Sequence, residues 1–274
     1  MKFFAKKSLG QNFLKSEAAL AQIIQAAHLD GTETVLEIGP GTGALTRELL
    51  RAAGRVIAIE KDDQLSRDLH TEFATEIASG KLVVMNSDIL DIEPNAEILG
   101  SAYKLVANIP YNITGAIIEK FLSAKFQPTM MVLLVQKEVA ERIVAVDRAS
   151  GKPDKESILS IAVKAYGTPR YVATVKAGSF VPAPKVDSAI IAIESISRNH
   201  FPTLHHEQVF FQLVKTGFAH KRKTLAGNLK NNWEPEIVDG AIAAVGLPVA
   251  VRAEEIRIET WVALMHAVYE ATYR

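Results

Sequence analysis

Short continuous apolar runs alternate along most of the chain with segments whose apolar residues recur every three to four positions. The first periodic segment puts Leu20, Ile23, Ile24 and Ala27 on one face behind Ser16 as N-cap, which predicts a helix over 16–28 that Asp30-Gly31 ends. Strands follow at 34–38 (TVLEI), 55–60 (RVIAIE), 82–85, 103–107 and 130–135, interleaved with helical patterns at 44–53, 62–78 and 114–124. Strands that read as unbroken apolar runs are covered on both faces, so this alternation predicts an α/β fold with a mainly parallel, doubly wound sheet. Helices at 137–146 and 157–165 flank a polar loop at 147–155. Strands at 171–175 and 186–193, joined through Phe180-Val181-Pro182-Ala183-Pro184, then suggest an antiparallel hairpin finishing the sheet. The pattern changes at 195–202. Beyond it only helical faces appear, such as Val209, Phe210, Leu213, Val214 and Phe218, or Trp261, Leu264, Met265 and Val268. Two domains are expected: 1–198 carrying the sheet, and a small all-helical domain at 199–274.

Composition narrows the classes. The 274 residues are 48% hydrophobic and 23% charged, which is ordinary for a globular chain with ample core. Absence of cysteine excludes disulfides, thiolate metal sites and thiol nucleophiles. The histidines show no metal-ligand spacing, so no metal is expected, and His205-His206 reads as a solvated helix start. No signal-peptide pattern opens the chain, and its longest apolar run, 130–135, is far too short to span a bilayer. A soluble, cytoplasmic protein is expected. Lys+Arg and Asp+Glu both total 31, so any polyanion site has to come from local segregation of charge. Two basic clusters qualify: the N-terminal one with Lys2, Lys6, Lys7 and Lys15, and Lys221-Arg222-Lys223.

Chemistry concentrates where predicted strands end. Glu37-Ile38-Gly39-Pro40-Gly41-Thr42-Gly43 follows a strand and opens a helix, so backbone and free helix N–H groups can approach a ligand closely. Gly39-x-Gly41-x-x-Ala44 with Glu60 further on also satisfies a dinucleotide fingerprint. Two features favour S-adenosylmethionine over a nicotinamide dinucleotide. Glu37 stands two residues before the first glycine, suited to order the loop and the cationic amino-acid end. Asp88 closes the third strand, suited to an adenine amino group. The Glu60 carboxylate can accept from both ribose hydroxyls. The fourth strand runs into Asn108-Ile109-Pro110-Tyr111-Asn112, where Pro110 stiffens the backbone. A stiff amide, carbonyl and aromatic set can grip a flat hydrogen-bonding ring. The plain alternative is a turn with Tyr111 as a core residue.

Taken together, Glu37-x-Gly39-x-Gly41-x-Gly43, Asp88 and Asn108-Ile109-Pro110-Tyr111 resemble an S-adenosylmethionine-dependent adenine-N6 methyltransferase. Lys7-Ser8-Leu9-Gly10-Gln11-Asn12-Phe13-Leu14, Pro184-Lys185-Val186-Asp187-Ser188 and Lys221-Arg222-Lys223-Thr224-Leu225 narrow the resemblance to the ribosomal RNA adenine N6,N6-dimethyltransferases of the small-subunit type. That resemblance implies a Rossmann-like methyltransferase sheet and a helical RNA-binding domain. It also implies dimethylation of two adjacent adenosines in the 3′-terminal hairpin of small-subunit rRNA, and a role in assembling the immature 30S particle, by a monomer. It brings Gln11, Asn12 and Leu14 to the cofactor pocket beside Glu37, Gly39, Gly41, Gly43, Glu60, Asp88 and Asn108. On this reading the Asn108 amide oxygen and the Pro110 carbonyl accept the two N6–H groups. Tyr111 stacks on the base, Phe180 covers its other face from an exposed connection, and Lys221, Arg222 and Lys223, aided by Lys215 and Lys230, hold phosphate. A large-subunit rRNA methyltransferase of the macrolide-resistance type and a non-catalytic RNA-binding assembly factor are the rival readings.

Overall fold

A computed structural model describes residues 10–145 and 154–273. Lys2, Lys6 and Lys7, the motif residues Ser8 and Leu9, and positions 147–153 of the polar loop lie outside the described residues. The chain forms two compact units. One takes the chain up to Ala140 and returns for Gly167–Ser197; the other takes the described residues from Glu141 to Tyr166 and those from Arg198 onward.

In the first unit, β1 (Phe13–Leu14) leads into α1 (Glu17–Ala27). The Ser16 side chain accepts the Ala19 N–H, and His28 ends the helix in the left-handed region. Then come β2 (Thr34–Ile38), α2 (Ala44–Ala52), β3 (Arg55–Glu60), α3 (Asp63–Glu72), α4 (Ala74–Ala78) and β4 (Leu82–Asn86). A short α5 (Ala96–Leu99), capped by Asn95, precedes β5 (Tyr103–Asn108), α6 (Thr114–Ser123) and β6 (Met130–Gln136); α7 (Lys137–Val144) follows, its residues up to Ala140 in this unit and those from Glu141 in the second. The helix expected over 62–78 is interrupted at Phe73, which turns inward and is buried.

The main sheet has the order β4-β3-β2-β5-β6, extended by β9 (Ser188–Glu194) and β7 (Thr168–Val175). β2 to β6 pair in parallel, and β9 runs antiparallel to both β6 and β7. The doubly wound sheet with a terminal antiparallel hairpin is therefore the observed architecture. Its central strands β3 and β6 are buried at every position but one end residue each, as their unbroken apolar runs require. β7 starts three residues before the expected strand, and its bulge between Tyr171 and Ala173 explains why alternation is lost there. A second, two-stranded sheet pairs β1 with β8 (Phe180–Val181), matching Phe13 to Val181 and Leu14 to Phe180. It is invisible to periodicity because two-residue strands carry none.

The second unit holds α8 (Ile158–Lys164), α9 (Leu204–Gly217), α10 (Leu225–Leu229), α11 (Pro235–Ala244) and α12 (Ile258–Tyr273). Trp261 is fully buried among the helices. Gly217 makes room for it, since a Cβ there would sit 2.6 Å from the indole. The single boundary expected at 198/199 is thereby modified, because α8 belongs with the helices that follow rather than with the sheet. The Tyr166 hydroxyl donates to buried Glu207, and buried Glu156 receives Lys164 and Arg257 at 2.8 and 2.9 Å. The Tyr166–Glu207 and Glu156–Arg257 partners lie 41 and 101 positions apart, so no local pattern could assign α8.

Candidate functional site

Open α/β sheets bind ligands beyond the carboxyl ends of their strands, where the strand order reverses. Here that point lies between β2 and β5, and a cavity of about 220 Å³ opens there. It is lined by the loops after β2, β3, β4 and β5 together with Gly10–Leu14.

The glycine loop after β2 is held from β3. Gly39 N–H donates to the Ile59 carbonyl, and Gly41 N–H to Glu60 Oε2 at 3.0 Å. Glu60 Oε1 accepts the Asp62 N–H at 2.8 Å, so this carboxylate stitches the loop to the start of α3. Burial pushes its pKa up, against the stabilising N–H donors of Asp62 and Gly41. Gly39, Gly41 and Gly43 all have positive φ, as only glycine adopts cheaply. Their surroundings differ. A Cβ on Gly39 would meet nothing within 4 Å, and one on Gly41 would touch the Phe13 ring. One on Gly43 would collide with Phe73 at 2.6 Å. Gly39 and Gly41 line the cavity and Gly43 does not, so the expected ligand role of Gly43 gives way to one in packing.

Glu37 lies inside the first unit with 1% exposure, yet lines the cavity. Burial pushes its carboxyl up to about 8; Thr46 opposes that rise and the neighbouring Glu60 adds to it. Thr46 offers its hydroxyl from α2, but at hydrogen-bond geometry neither Glu37 oxygen nor that hydroxyl has a partner. A buried, unsatisfied carboxyl is costly and needs an explanation. A cationic group bound in the cavity would supply one.

On the far side, Asp88 accepts Leu90 N–H with Oδ1 and Lys61 Nζ with Oδ2 at 2.6 Å. Lys61 holds the Asp88 carboxyl below its usual range. Gln11 reaches Asp62 at 3.3 Å, and Asn12 folds its amide onto the Gly10 carbonyl. Leu14 is buried and lines the cavity. Lys61 and Asp62 escaped the sequence reading, because a cation and an acid following a strand read as an ordinary helix start.

The stretch after β5 closes the cavity. Asn108 donates its Nδ2–H to the Asn12 carbonyl at 3.1 Å, which commits the amide nitrogen and leaves Oδ1 as its acceptor. Pro110 lines the cavity, but its carbonyl already accepts the Ile113 N–H at 3.2 Å and the Thr114 hydroxyl at 3.4 Å. The Ile109 carbonyl, one residue earlier, accepts no hydrogen bond among the described residues. The backbone acceptor expected at Pro110 is thus better supplied by Ile109. Tyr111 lines the cavity half-buried, and no aromatic ring stacks on it among the described residues. Its hydroxyl meets Ser188 Oγ at 2.6 Å. Burial pushes the phenol pKa up, and that bond partly opposes the rise.

Phe180 is not exposed as expected. It is 2% accessible in the core of the first unit and does not line the cavity, while the neighbouring Val181 is 54% exposed. Pairing of β8 with β1 turns Phe180 inward, because successive strand residues face opposite sides.

Lys221, Arg222 and Lys223 belong to the second unit, exposed between α9 and α10, with no ion pair among the described residues. Thr224 follows as the N-cap of α10. Lys215 is exposed too, and Lys230 pairs with Asp239 at 2.8 Å. No cluster of three or more metal-ligating side chains occurs among the described residues, and no described helix is long and apolar enough to cross a membrane.

Comparison with known proteins bears on this geometry. Residues 2–269 match the family model described as ribosomal RNA adenine dimethylase. A ribosomal RNA small subunit methyltransferase A from Dehalococcoides mccartyi is 43% identical over 261 residues, covering 94% of this chain and 86% of the relative. The protein of that name from Thermosynechococcus vestitus is 40% identical, with 95% of each chain covered. Among solved structures, a dimethyladenosine transferase from Plasmodium falciparum aligns with a TM-score of 0.75 at 28% identity, over 92% of this chain and 95% of that one. The 23S rRNA methyltransferase ErmE aligns with the same TM-score at 26% identity, over 94% and 99%. With a family model spanning nearly the whole sequence and relatives this similar end to end, the chain belongs to the ribosomal RNA adenine dimethylase family.

Proposed function

We propose that this protein transfers methyl groups from S-adenosylmethionine to N6 of two adjacent adenosines in the 3′-terminal hairpin of small-subunit rRNA. It acts as a monomer in the cytoplasm on an immature 30S particle. The observation that carries the chemistry is the oriented amide of Asn108: its nitrogen is tied to Asn12 and its oxygen is left to accept. Adenine N6 is a poor nucleophile because its lone pair is delocalised into the ring. Asn108 Oδ1 and the Ile109 carbonyl accept one N6–H each and turn the lone pair towards the methyl donor. Positioning of this kind is worth at most about 7–11 kcal/mol. Tyr111 presents its face to the base once it leaves its stack.

The residues present fit the cofactor. Glu37 holds the cationic amino-acid end and so gains the partner it lacks. Gly39 lets the backbone approach, and Glu60 and Asp88 accept from the ribose and the adenine amino group with their remaining lone pairs. S-adenosylmethionine supplies a methyl group already activated on a sulfonium. No strong base is required of the chain, since water can take the proton after transfer.

The small-subunit target is favoured over a large-subunit one by relatives of that name at 43% and 40% identity, against 26% to ErmE. Incubation with labelled S-adenosylmethionine and each immature subunit tests the reading. Label in two adjacent small-subunit adenosines is expected, and label confined to the large subunit would sink it.

A further inference from the structure

The Pro184–Ser188 motif ends in two residues that the transfer chemistry does not use, and both are tied to other segments. Asp187 accepts the Ala177 N–H at 3.0 Å and Lys176 Nζ at 2.9 Å, while its carbonyl accepts the Lys137 N–H. Ser188 is 0% exposed and opens β9, paired with Gln136 of β6 on one side and Val175 of β7 on the other. Its hydroxyl is therefore mounted on backbone fixed from both flanks. Tyr111 is in the opposite situation. It sits in a short turn at 111–113, where the Ile113–Pro110 bond at 3.2 Å is weak restraint for a ring. The 2.6 Å contact from Tyr111 Oη to Ser188 Oγ lies in the short range of O–H···O bonds and links the two across the end of β6.

We propose that Ser188 is a positioning residue: it pins the Tyr111 hydroxyl so that the ring stands as a fixed platform for the target adenine. This rests on the methyl-transfer reading above. The bond engages only the hydroxyl at the ring edge, no described aromatic ring stacks on Tyr111, and Asp187 keeps Ser188 from drifting with its loop. The device concerns orientation during transfer, so it affects turnover more than binding.

The test uses the full-length protein with Ser188→Ala, Ser188→Thr, Tyr111→Phe and the Ser188→Ala/Tyr111→Phe double variant. Turnover, KM for immature small subunits, cofactor Kd and Tm are measured for each. Tyr111→Phe keeps the ring and removes only the bond. About a tenfold fall in kcat is expected for Ser188→Ala and for Tyr111→Phe, the worth of one hydrogen bond of about 1.4 kcal/mol. The double variant should be no worse than either single one. KM, cofactor Kd and Tm should stay near wild type, and Ser188→Thr, which keeps a hydroxyl, should restore most of kcat. Wild-type kcat in Ser188→Ala, or losses that multiply in the double variant, would overturn the proposal. Loss of Tm in step with loss of kcat would reduce Ser188 to a structural residue and overturn it equally. A wild-type protein that methylates neither subunit would instead overturn the underlying reading, and this inference with it.

Discussion

Glu37 is the residue whose environment makes the sharpest demand. Its carboxyl lies buried without a hydrogen-bond partner, and burial pushes it up to about 8, which favours the protonated form at neutral pH. The unfolded chain, with an ordinary carboxyl, binds fewer protons than the folded one between the two pKa values. Stability should therefore fall as pH rises from about 4.5 to about 8 and level off above that, a slope that Glu37→Gln removes. Chemical denaturation of both proteins at several pH values checks this; parallel curves would show that Glu37 does not titrate in that window. Cofactor binding carries the complementary sign. A cationic amino group favours the ionised carboxyl, so S-adenosylmethionine should bind more tightly as pH rises towards 8, releasing up to one proton below that. Calorimetry in buffers of different ionisation enthalpy measures the release directly. Asn108 makes a separate demand. Asn108→Ala removes the proposed N6 acceptor and the tie to Asn12, and should lower methyl transfer about a hundredfold or more, as loss of one preorganised polar group at a reacting centre does. RNA affinity should hardly move in filter binding, and full activity would refute the N6 clamp.

At the scale of elements, the start of α2 depends on a glycine that does not line the cavity. Gly43 has φ 75° and caps the helix, with the Phe73 ring filling the place of its missing side chain. Gly43→Ala would demand both a left-handed alanine and a displaced aromatic. A loss of about 2 kcal/mol or more is expected from the strain and overpacking. Cofactor affinity should fall with it, because the Gly41 N–H that grips Glu60 lies two residues away. Urea denaturation together with cofactor titration checks both effects. This position also shows what sequence reasoning reaches. The strands from Thr34 to Gln136 and the carboxylates at their ends were legible, because burial on both faces leaves unbroken apolar runs and ligands sit where such strands stop. The β1–β8 pairing was not, since two residues carry no period, and with it went the burial of Phe180. The choice between the Ile109 and Pro110 carbonyls, the Lys61–Asp88 ion pair and the Tyr111–Ser188 bond depend on three-dimensional approach alone. The return of residues 154–166 to the helical unit rests on Glu156 and Tyr166 finding partners up to a hundred positions away.

For the whole molecule the governing number is a net charge of zero, with 31 cations balanced by 31 anions. A protein with that balance has no general attraction to a polyanion, so RNA affinity has to come from places where cations stand without neutralising partners. Lys221, Arg222 and Lys223 meet that condition: consecutive, exposed, and free of ion pairs among the described residues, whereas Lys230 is paired with Asp239. Cations that contact phosphate release condensed counterions, and each contributes about 0.7–0.9 to the slope of log affinity against log salt. Replacing all three by Ala should weaken binding to small-subunit rRNA markedly at low salt and flatten that slope by about 2. The difference from wild type should close as salt rises. Cofactor Kd should not change, because every residue lining the cavity belongs to the first unit. Tm should not change either, because the three side chains are exposed and Thr224, which caps α10, is retained. The predicted pattern is thus a salt-dependent rise in KM for the particle with kcat at saturation preserved. An unchanged slope would move the phosphate contacts elsewhere, with the N-terminal lysines the next group to replace.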